Sequence, residues 1–152
     1  MQNLRKPDEV IMKIEFTKSK KKIASIWFIS AVILFTLFLF QSLLGKFEDK
    51  SQQAWGWFLA SLMPNLTLMI SVFVKDITIS EIDKSEVDIF YVRLTMGLSL
   101  AYLTSILLIL LVQPLTAKPI IQIMNESSIF LGPFQGLVSG SIGLFFLKKS
   151  DG

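Results

Sequence analysis

The chain has 152 residues, 52% of them hydrophobic, with a net charge of +3 and a mean hydropathy of +0.59. It contains neither cysteine nor histidine, which excludes disulfides, thiolate chemistry, Cys/His zinc sites and imidazole acid–base catalysis within the chain. Roughly 70 residues fall outside its long apolar stretches, too few for a separate water-soluble domain with its own core.

Four long apolar stretches follow one another along the chain, at 23–44, 55–74, 90–112 and 129–147. Each has about the 20 residues that a helix needs to cross a hydrocarbon core about 30 Å thick. Lipid offers the backbone no hydrogen-bond partners, so such segments form helices. The sequence therefore predicts an all-α integral membrane protein with four transmembrane helices, short loops and a single domain at 23–147.

The distribution of basic residues predicts the orientation. Of the 15 Lys and Arg residues, 12 fall in the N-terminal segment 1–22, at or beside the central loop 75–88, or in the tail 148–152, and 3 fall in the other two loops. Basic segments stay on the cytoplasmic side. We therefore expect a multi-pass protein of the cytoplasmic membrane of a bacterium, with both termini and the loop 75–88 in the cytoplasm. Trp27, Trp55 and Phe90 are expected to anchor helix ends at the membrane surface.

The cytoplasmic segments combine a basic cluster with an acidic loop. Residues 12–17 and 76–80 alternate apolar and polar side chains, which predicts two short strands. We expect these segments to contact each other or a cytoplasmic protein partner; alternatively, the basic segment lies on anionic lipid. The candidate contact residues are Lys18, Lys20, Lys21, Lys22, Glu81, Asp83, Glu86, Asp88 and Arg93.

The third helix has a start signal in the acidic loop, where Ser85 is the expected N-cap and Glu86 and Asp88 follow in the first turn. Arg93 lies one or two turns deeper. We expect it to extend back to these carboxylates or to lipid phosphate, and the alternative is a functional charge inside a cavity.

Small residues recur along the fourth stretch. Gly132, Gly136 and Gly140 are spaced by four residues, and Ser139 and Gly143 lie beside them on a helical wheel. Such strips let helix backbones approach closely in lipid. The sequence predicts packing within the four-helix unit or at an interface between subunits, and a glycine-lined conduction path is the third alternative.

Two polar residues interrupt the apolar stretches. Asn65 follows Pro64, which removes a backbone donor and favours a kink, and Gln135 lies among the glycines of the fourth stretch. Each is expected to hydrogen-bond to a neighbouring helix or, alternatively, to line a polar pathway. No Asp or Glu falls clearly inside a stretch, which disfavours proton-coupled transport.

The serines of the stretches have no visible base, so we expect no catalytic residue, metal or cofactor. The sequence favours a non-enzymatic membrane-embedded subunit or anchor of a homo- or hetero-oligomeric complex. Its expected partners are the lipid bilayer, further copies of the chain and a cytoplasmic protein, without nucleic acid. The alternative is an oligomeric pore or membrane-disrupting effector, for example in bacterial stress or phage defence. The remaining candidate functions are small-solute transport and lipid modification.

Overall fold

The computed structural model describes residues 7–78, 89–112 and 115–147. This part of the chain folds into four helices and a short 3-10 turn at Glu48–Lys50. The helices are α1 at Pro7–Leu43, α2 at Ser51–Thr78, α3 at Ile89–Val112 and α4 at Ile120–Leu147. The predicted all-α fold is confirmed over the described ranges.

Among the described residues, three helices are long and apolar enough to cross a membrane, within Ser19–Leu43, Ile89–Val112 and Ile120–Phe145. The helix α2 has 28 residues and is not among these three. It begins with Ser51 and two glutamines, and Pro64 and Asn65 interrupt its middle. Three of the four predicted stretches are therefore helices with the length and apolar composition that a membrane span needs, whereas their insertion and the crossing of α2 stay predictions.

The first helix begins much earlier than predicted. Residues 12–17, expected as a strand, are helical in the 37-residue α1. Pro7 suits a first helical position, Asp8 and Glu9 favour the positive end of the helix dipole, and no Gly or Pro follows within α1. An alternation over six residues is too short to outweigh these signals. The strand predicted at 76–80 is also wrong for residues 76–78, which form the last turn of α2.

The first helix ends at a glycine turn. Gly45 adopts a positive φ of 72°, its N–H donates to Ser42 O at 3.0 Å, and the Lys46 N–H donates to Gln41 O at 3.2 Å. These two bonds are those of a Schellman motif, in which glycine takes the left-handed position without steric cost. The turn reverses the chain and places α2 beside α1.

The fourth helix also begins earlier than predicted, at Ile120 instead of 129. The carbonyl oxygen of Pro119 accepts hydrogen bonds from the N–H groups of Gln122 and Ile123, at 3.0 and 3.3 Å. Proline is well suited to a helix start because the N–H that it lacks has no intrahelical acceptor there. Glu126, which precedes the predicted stretch 129–147, is therefore part of α4.

The helices form a ring in the order α1, α2, α4, α3, because α4 packs mainly on α3 and α2 whereas α1 packs on α3 and α2. Cross-helix contacts set the directions. Trp27 meets Tyr102 and Gln41 meets Leu110, so α1 and α3 run parallel. Gln53 meets Asn125 and Asn65 meets Ser139, so α2 and α4 also run parallel. The turn after α1 makes the two pairs antiparallel.

The polarity of the bundle suits a lipid environment. Its interior holds large apolar and aromatic side chains together with buried polar ones such as Asn65, Thr95 and Ser99. Its outer surface carries exposed large apolar side chains from every helix, among them Ile29, Val32, Met63, Leu108, Ile129, Leu137 and Leu144. A water-soluble monomer rarely exposes so much apolar surface, whereas hydrocarbon tails solvate it well.

Trp27 faces the interior of the bundle. Its side chain is 0% exposed and stacks on Tyr102 of α3, with ring centroids 6.1 Å apart. The ring is therefore covered by protein and is not open to lipid headgroups, which an interfacial anchor requires.

Candidate functional site: a polar layer and an outer glycine strip

Pro64 leaves a defect in α2 that the neighbouring helices repair. A proline has no N–H, so the carbonyl of Ala60, four residues earlier, lacks its intrahelical donor. The Gln135 Nε2 group of α4 donates to this oxygen at 2.9 Å. The next carbonyl, Ser61 O, accepts a hydrogen bond from the Tyr102 hydroxyl of α3 at 2.9 Å. Both bonds satisfy α2 where lipid would not.

Asn65 lies in the centre of the bundle. Its side chain is 0% exposed, and its Oδ1 accepts a hydrogen bond from the Ser139 hydroxyl of α4 at 2.6 Å. Asn65 and Gln135, the two polar residues singled out from the sequence, therefore each contact a neighbouring helix. Both contacts join α2 to α4.

Within the described residues, three buried polar atoms have no hydrogen-bond partner: Asn65 Nδ2, Ser99 Oγ and Trp27 Nε1. A fourth is Gln41 Oε1, whose amide nitrogen donates to Leu110 O at 3.1 Å. Sequence reasoning missed Ser99, Tyr102 and Gln41. The signal was present for α3, where Thr95, Ser99 and Tyr102 recur at intervals of four and three residues and so share one helical face.

The glycines of α4 lie on the outside of the bundle. Gly132, Gly136 and Gly140 are exposed and Gly143 is half-buried, and a Cβ atom added to any of the four would have no neighbour within 4 Å. The prediction that these glycines pack within the four-helix unit is therefore wrong. The face that α4 buries carries Leu131, Val138, Ile142 and Phe145 instead.

Ser139 differs from these glycines because its hydroxyl turns toward α2. We use the name glycine strip for Gly132, Gly136, Gly140 and Gly143. Gln135 and Ser139 form the edge of this strip on the side of α2, and both are half-buried.

The candidate cytoplasmic contact is described only in part. Lys20 is buried at 7% exposure, Lys21 and Lys22 are exposed on α1, and Arg93 is exposed on α3. The Lys18 side chain and the whole of 79–88, which contains Glu81, Asp83, Ser85, Glu86 and Asp88, lie outside the described residues. The contact between the basic cluster and the acidic loop therefore stays a prediction.

A polar cluster joins the N-terminal ends of α2 and α4. Gln53 Nε2 donates to Asn125 Oδ1 at 3.1 Å, and the Lys118 ammonium contacts Glu126 at 2.7 Å. Gln122 Nε2 also donates to Glu126, at 2.9 Å. The ion pair is about half exposed, so it contributes little stability. Within the described ranges, no three His, Cys, Asp or Glu side chains come together as metal ligands.

Comparison of the chain with protein-family models, curated proteins and solved structures gives no match. The class of the protein is therefore defined by its own fold. It is an all-helical protein in which three of the described helices are long and apolar enough to cross a membrane. Its function has to be argued from the polar layer and the glycine strip.

Proposed function

We propose that this protein is a non-enzymatic, membrane-embedded subunit or anchor that joins further copies of itself or a partner protein through the glycine strip of α4. One observation carries the proposal: the strip lies on the outer surface, where an added Cβ at each glycine has no neighbour within 4 Å. The fold of a single copy therefore leaves this close-approach surface unused.

The physical argument depends on the lipid environment. Helices in lipid associate through close packing and not through the hydrophobic effect, so small residues mark the surfaces where backbones meet. Exposed Leu137 and Leu144 lie along one side of the strip, so that the glycines form a groove beside a ridge of large side chains. A second apolar helix fits such a groove with many van der Waals contacts, whereas a smooth helix offers fewer.

The proposal includes the placement of the protein in the membrane. All four helices cross it, with α2 as the second span, and both termini face the cytoplasm of a bacterial cell. The 12 basic residues on the side of the termini, against 3 on the other side, support this orientation. The bonds of Ala60 and Ser61 to α4 and α3 support the crossing of α2, because they satisfy the backbone groups that Pro64 disturbs.

The test is the mass of the purified protein in lipid nanodiscs, measured for the wild type, Gly136→Ile and Gly97→Ile. Gly97 is the matched control because it lies in the middle of α3 and an added Cβ there also has no neighbour within 4 Å. We expect a complex larger than the single chain in the wild type and in Gly97→Ile, and its loss in Gly136→Ile. A complex that Gly136→Ile leaves unchanged contradicts the proposal, and a lone wild-type monomer rejects self-association and leaves a partner protein as the occupant of the strip.

A second candidate function is an oligomeric pore, which one feature favours. Gln135 and Ser139 are half-buried at the edge of the glycine strip, so association through the strip brings polar side chains from several copies close together. The described interior of one copy is filled by large side chains such as Trp27, Phe38 and Tyr102, and a water path needs several subunits.

Membrane potential separates the two candidates. A pore dissipates the potential when the protein is expressed, and Gly136→Ile abolishes this effect while the protein still inserts. Unchanged potential at high expression and under the native trigger rejects the pore and leaves the subunit or anchor.

A further inference from the structure

Tyr102 marks one level of the bundle that all four helices reach. Its hydroxyl bonds to Ser61 O of α2, its ring stacks on Trp27 of α1, and Phe134 of α4 meets that ring edge-on at 5.5 Å between centroids. The helix directions then identify the next level. Because α1 and α3 run antiparallel to α2 and α4, one turn toward the N-terminus of α1 or α3 reaches the same level of the bundle as one turn toward the C-terminus of α2 or α4.

That step leads from Tyr102 to Ser99, from Ser61 to Asn65, and from Trp27 to Ala24. On α4 it leads from Phe134 to the turn of Ser139, which is in contact with Asn65. We call Ala24, Asn65, Ser99 and Ser139 the polar layer. Three of its four side chains are small, and the first three residues are at least nine-tenths buried.

The Ser99 hydroxyl differs from five other hydroxyls of the described helices. Each of these five donates to the carbonyl four residues earlier: those of Thr36, Ser61, Ser71 and Ser105 at 2.8 Å and that of Ser128 at 3.0 Å. Ser99 is 1% exposed, and its hydroxyl makes no such bond. The hydroxyl therefore remains available to a ligand at the level of the polar layer.

The unpartnered groups of this region share one chemistry. Asn65 Nδ2 and Trp27 Nε1 can only donate hydrogen bonds, and Ser99 Oγ carries a donor as well. A buried donor without an acceptor destabilises the fold, so the layer favours a small hydrogen-bond acceptor. The Asn65 Oδ1 atom accepts a hydrogen bond from Ser139, and it is not an acceptor for the Nδ2 group of the same side chain.

The charges around the layer favour a neutral acceptor. None of its four residues is charged; Lys20, one turn from Ala24, makes an interaction of its own, and Arg93 is exposed on α3. An anion there has no charged partner within the layer and loses its hydration, which is unfavourable in a low-dielectric interior. Water has two lone pairs and commonly bridges buried polar groups of this kind.

We propose that the polar layer is a water-binding site in the middle of the membrane domain, in which ordered water accepts hydrogen bonds from Asn65 Nδ2 and Ser99 Oγ. Trp27 lies beside it, one turn away along α1. The site holds hydration between α2 and α3 at the level of Pro64, and it does not depend on the oligomeric state of the protein.

The experiment measures magnetisation transfer from water to asparagine side chains by solid-state NMR, on the full chain labelled with 15N-asparagine in lipid bilayers. The chain has three asparagines, at positions 3, 65 and 125, and Asn65→Gln assigns the central one by loss of its signal. Asn125 is the positive control because it is exposed. We expect Asn65 to receive magnetisation nearly as fast as Asn125 although it is 0% exposed.

Ser99→Val fills the layer with methyl groups and removes the hydroxyl. We expect it to slow the transfer to Asn65 several-fold and to leave Asn125 unchanged, whereas the control Ser105→Val on the same helix changes neither. Transfer to wild-type Asn65 as slow as in a dry core overturns the proposal, and this comparison needs no variant to fold. A change in the Asn65 amide shift when bromide replaces chloride also overturns it, because a halide is then the acceptor.

Discussion

Gln135 of α4 donates a hydrogen bond to Ala60 O of α2, the carbonyl that Pro64 deprives of its intrahelical donor. The two residues are 75 positions apart in the chain. In lipid, an unpaired carbonyl has no water to bond to, so the proline of one helix and the glutamine of another form a matched pair. This relationship makes the helix interruption compatible with a membrane domain.

The first prediction tests this pair. Gln135→Leu should destabilise the protein by about 1 kcal/mol, since cross-helix hydrogen bonds in membrane proteins contribute about 0.6 and at most about 1.7 kcal/mol. The measurement is the free energy of unfolding in mixed micelles titrated with SDS. In a Pro64→Ala background, the new N–H at position 64 bonds to Ala60 O, so the same substitution should cost less. An equal cost in both backgrounds contradicts the assignment.

The second prediction separates the hydroxyl of Tyr102 from its ring. Tyr102→Phe removes the bond to Ser61 O but keeps the stacking on Trp27, so the loss should be about 1 kcal/mol. Tyr102→Ala also removes the ring from the core and should cost about 3 kcal/mol or more. Tyr91→Phe is the control, because Tyr91 is exposed near the start of α3. Equal losses for Tyr102→Phe and Tyr102→Ala would show that the ring does not pack as described.

The third prediction concerns the contact between Asn65 and Ser139. A double-mutant cycle with Asn65→Ala and Ser139→Ala should give a coupling free energy of about 0.6 kcal/mol or somewhat more, because their 2.6 Å bond is buried on the side of Asn65. The control cycle pairs Asn65→Ala with Ser71→Ala, whose hydroxyl bonds within its own helix. Coupling of the same size in both cycles would argue against a specific bond.

The fourth prediction tests whether α2 crosses the membrane. The chain has no cysteine, so each introduced cysteine is unique. In intact cells, Lys46→Cys and Lys118→Cys should react with a membrane-impermeant maleimide, whereas Lys84→Cys should react only after permeabilisation. Labelling of Lys84→Cys from outside would place positions 46 and 84 on one side, which contradicts a crossing by α2.

Hydropathy predicted the bounds of the third helix best. The third stretch was predicted at 90–112 and α3 spans Ile89–Val112. The starts of α1 and α4 were missed because hydropathy reports the apolar segment and not the whole helix. Both helices begin at or just after a proline, at Pro7 and Pro119, and continue through polar residues before the apolar segment.

The arrangement around each helix was not accessible from the sequence. Spacing placed Gly132, Gly136 and Gly140 on one face, but which face of α4 turns inward depends on the side chains of α2 and α3 that pack against it. Pro64 likewise predicted a freed carbonyl, while its partner Gln135 follows only from the parallel packing of α2 and α4. Short-range signals therefore predicted the defect, and tertiary packing determined its repair.

The continuity of α1 has a mechanical consequence. Its 37 residues extend for about 55 Å at 1.5 Å per residue, well beyond the roughly 30 Å of hydrocarbon. No glycine or proline interrupts it after Pro7, so it lacks the usual hinge points. A protein or lipid headgroup that binds its first turns therefore tilts α1 as one rigid unit. The tilt changes the position of the buried ring of Trp27 farther along the same helix.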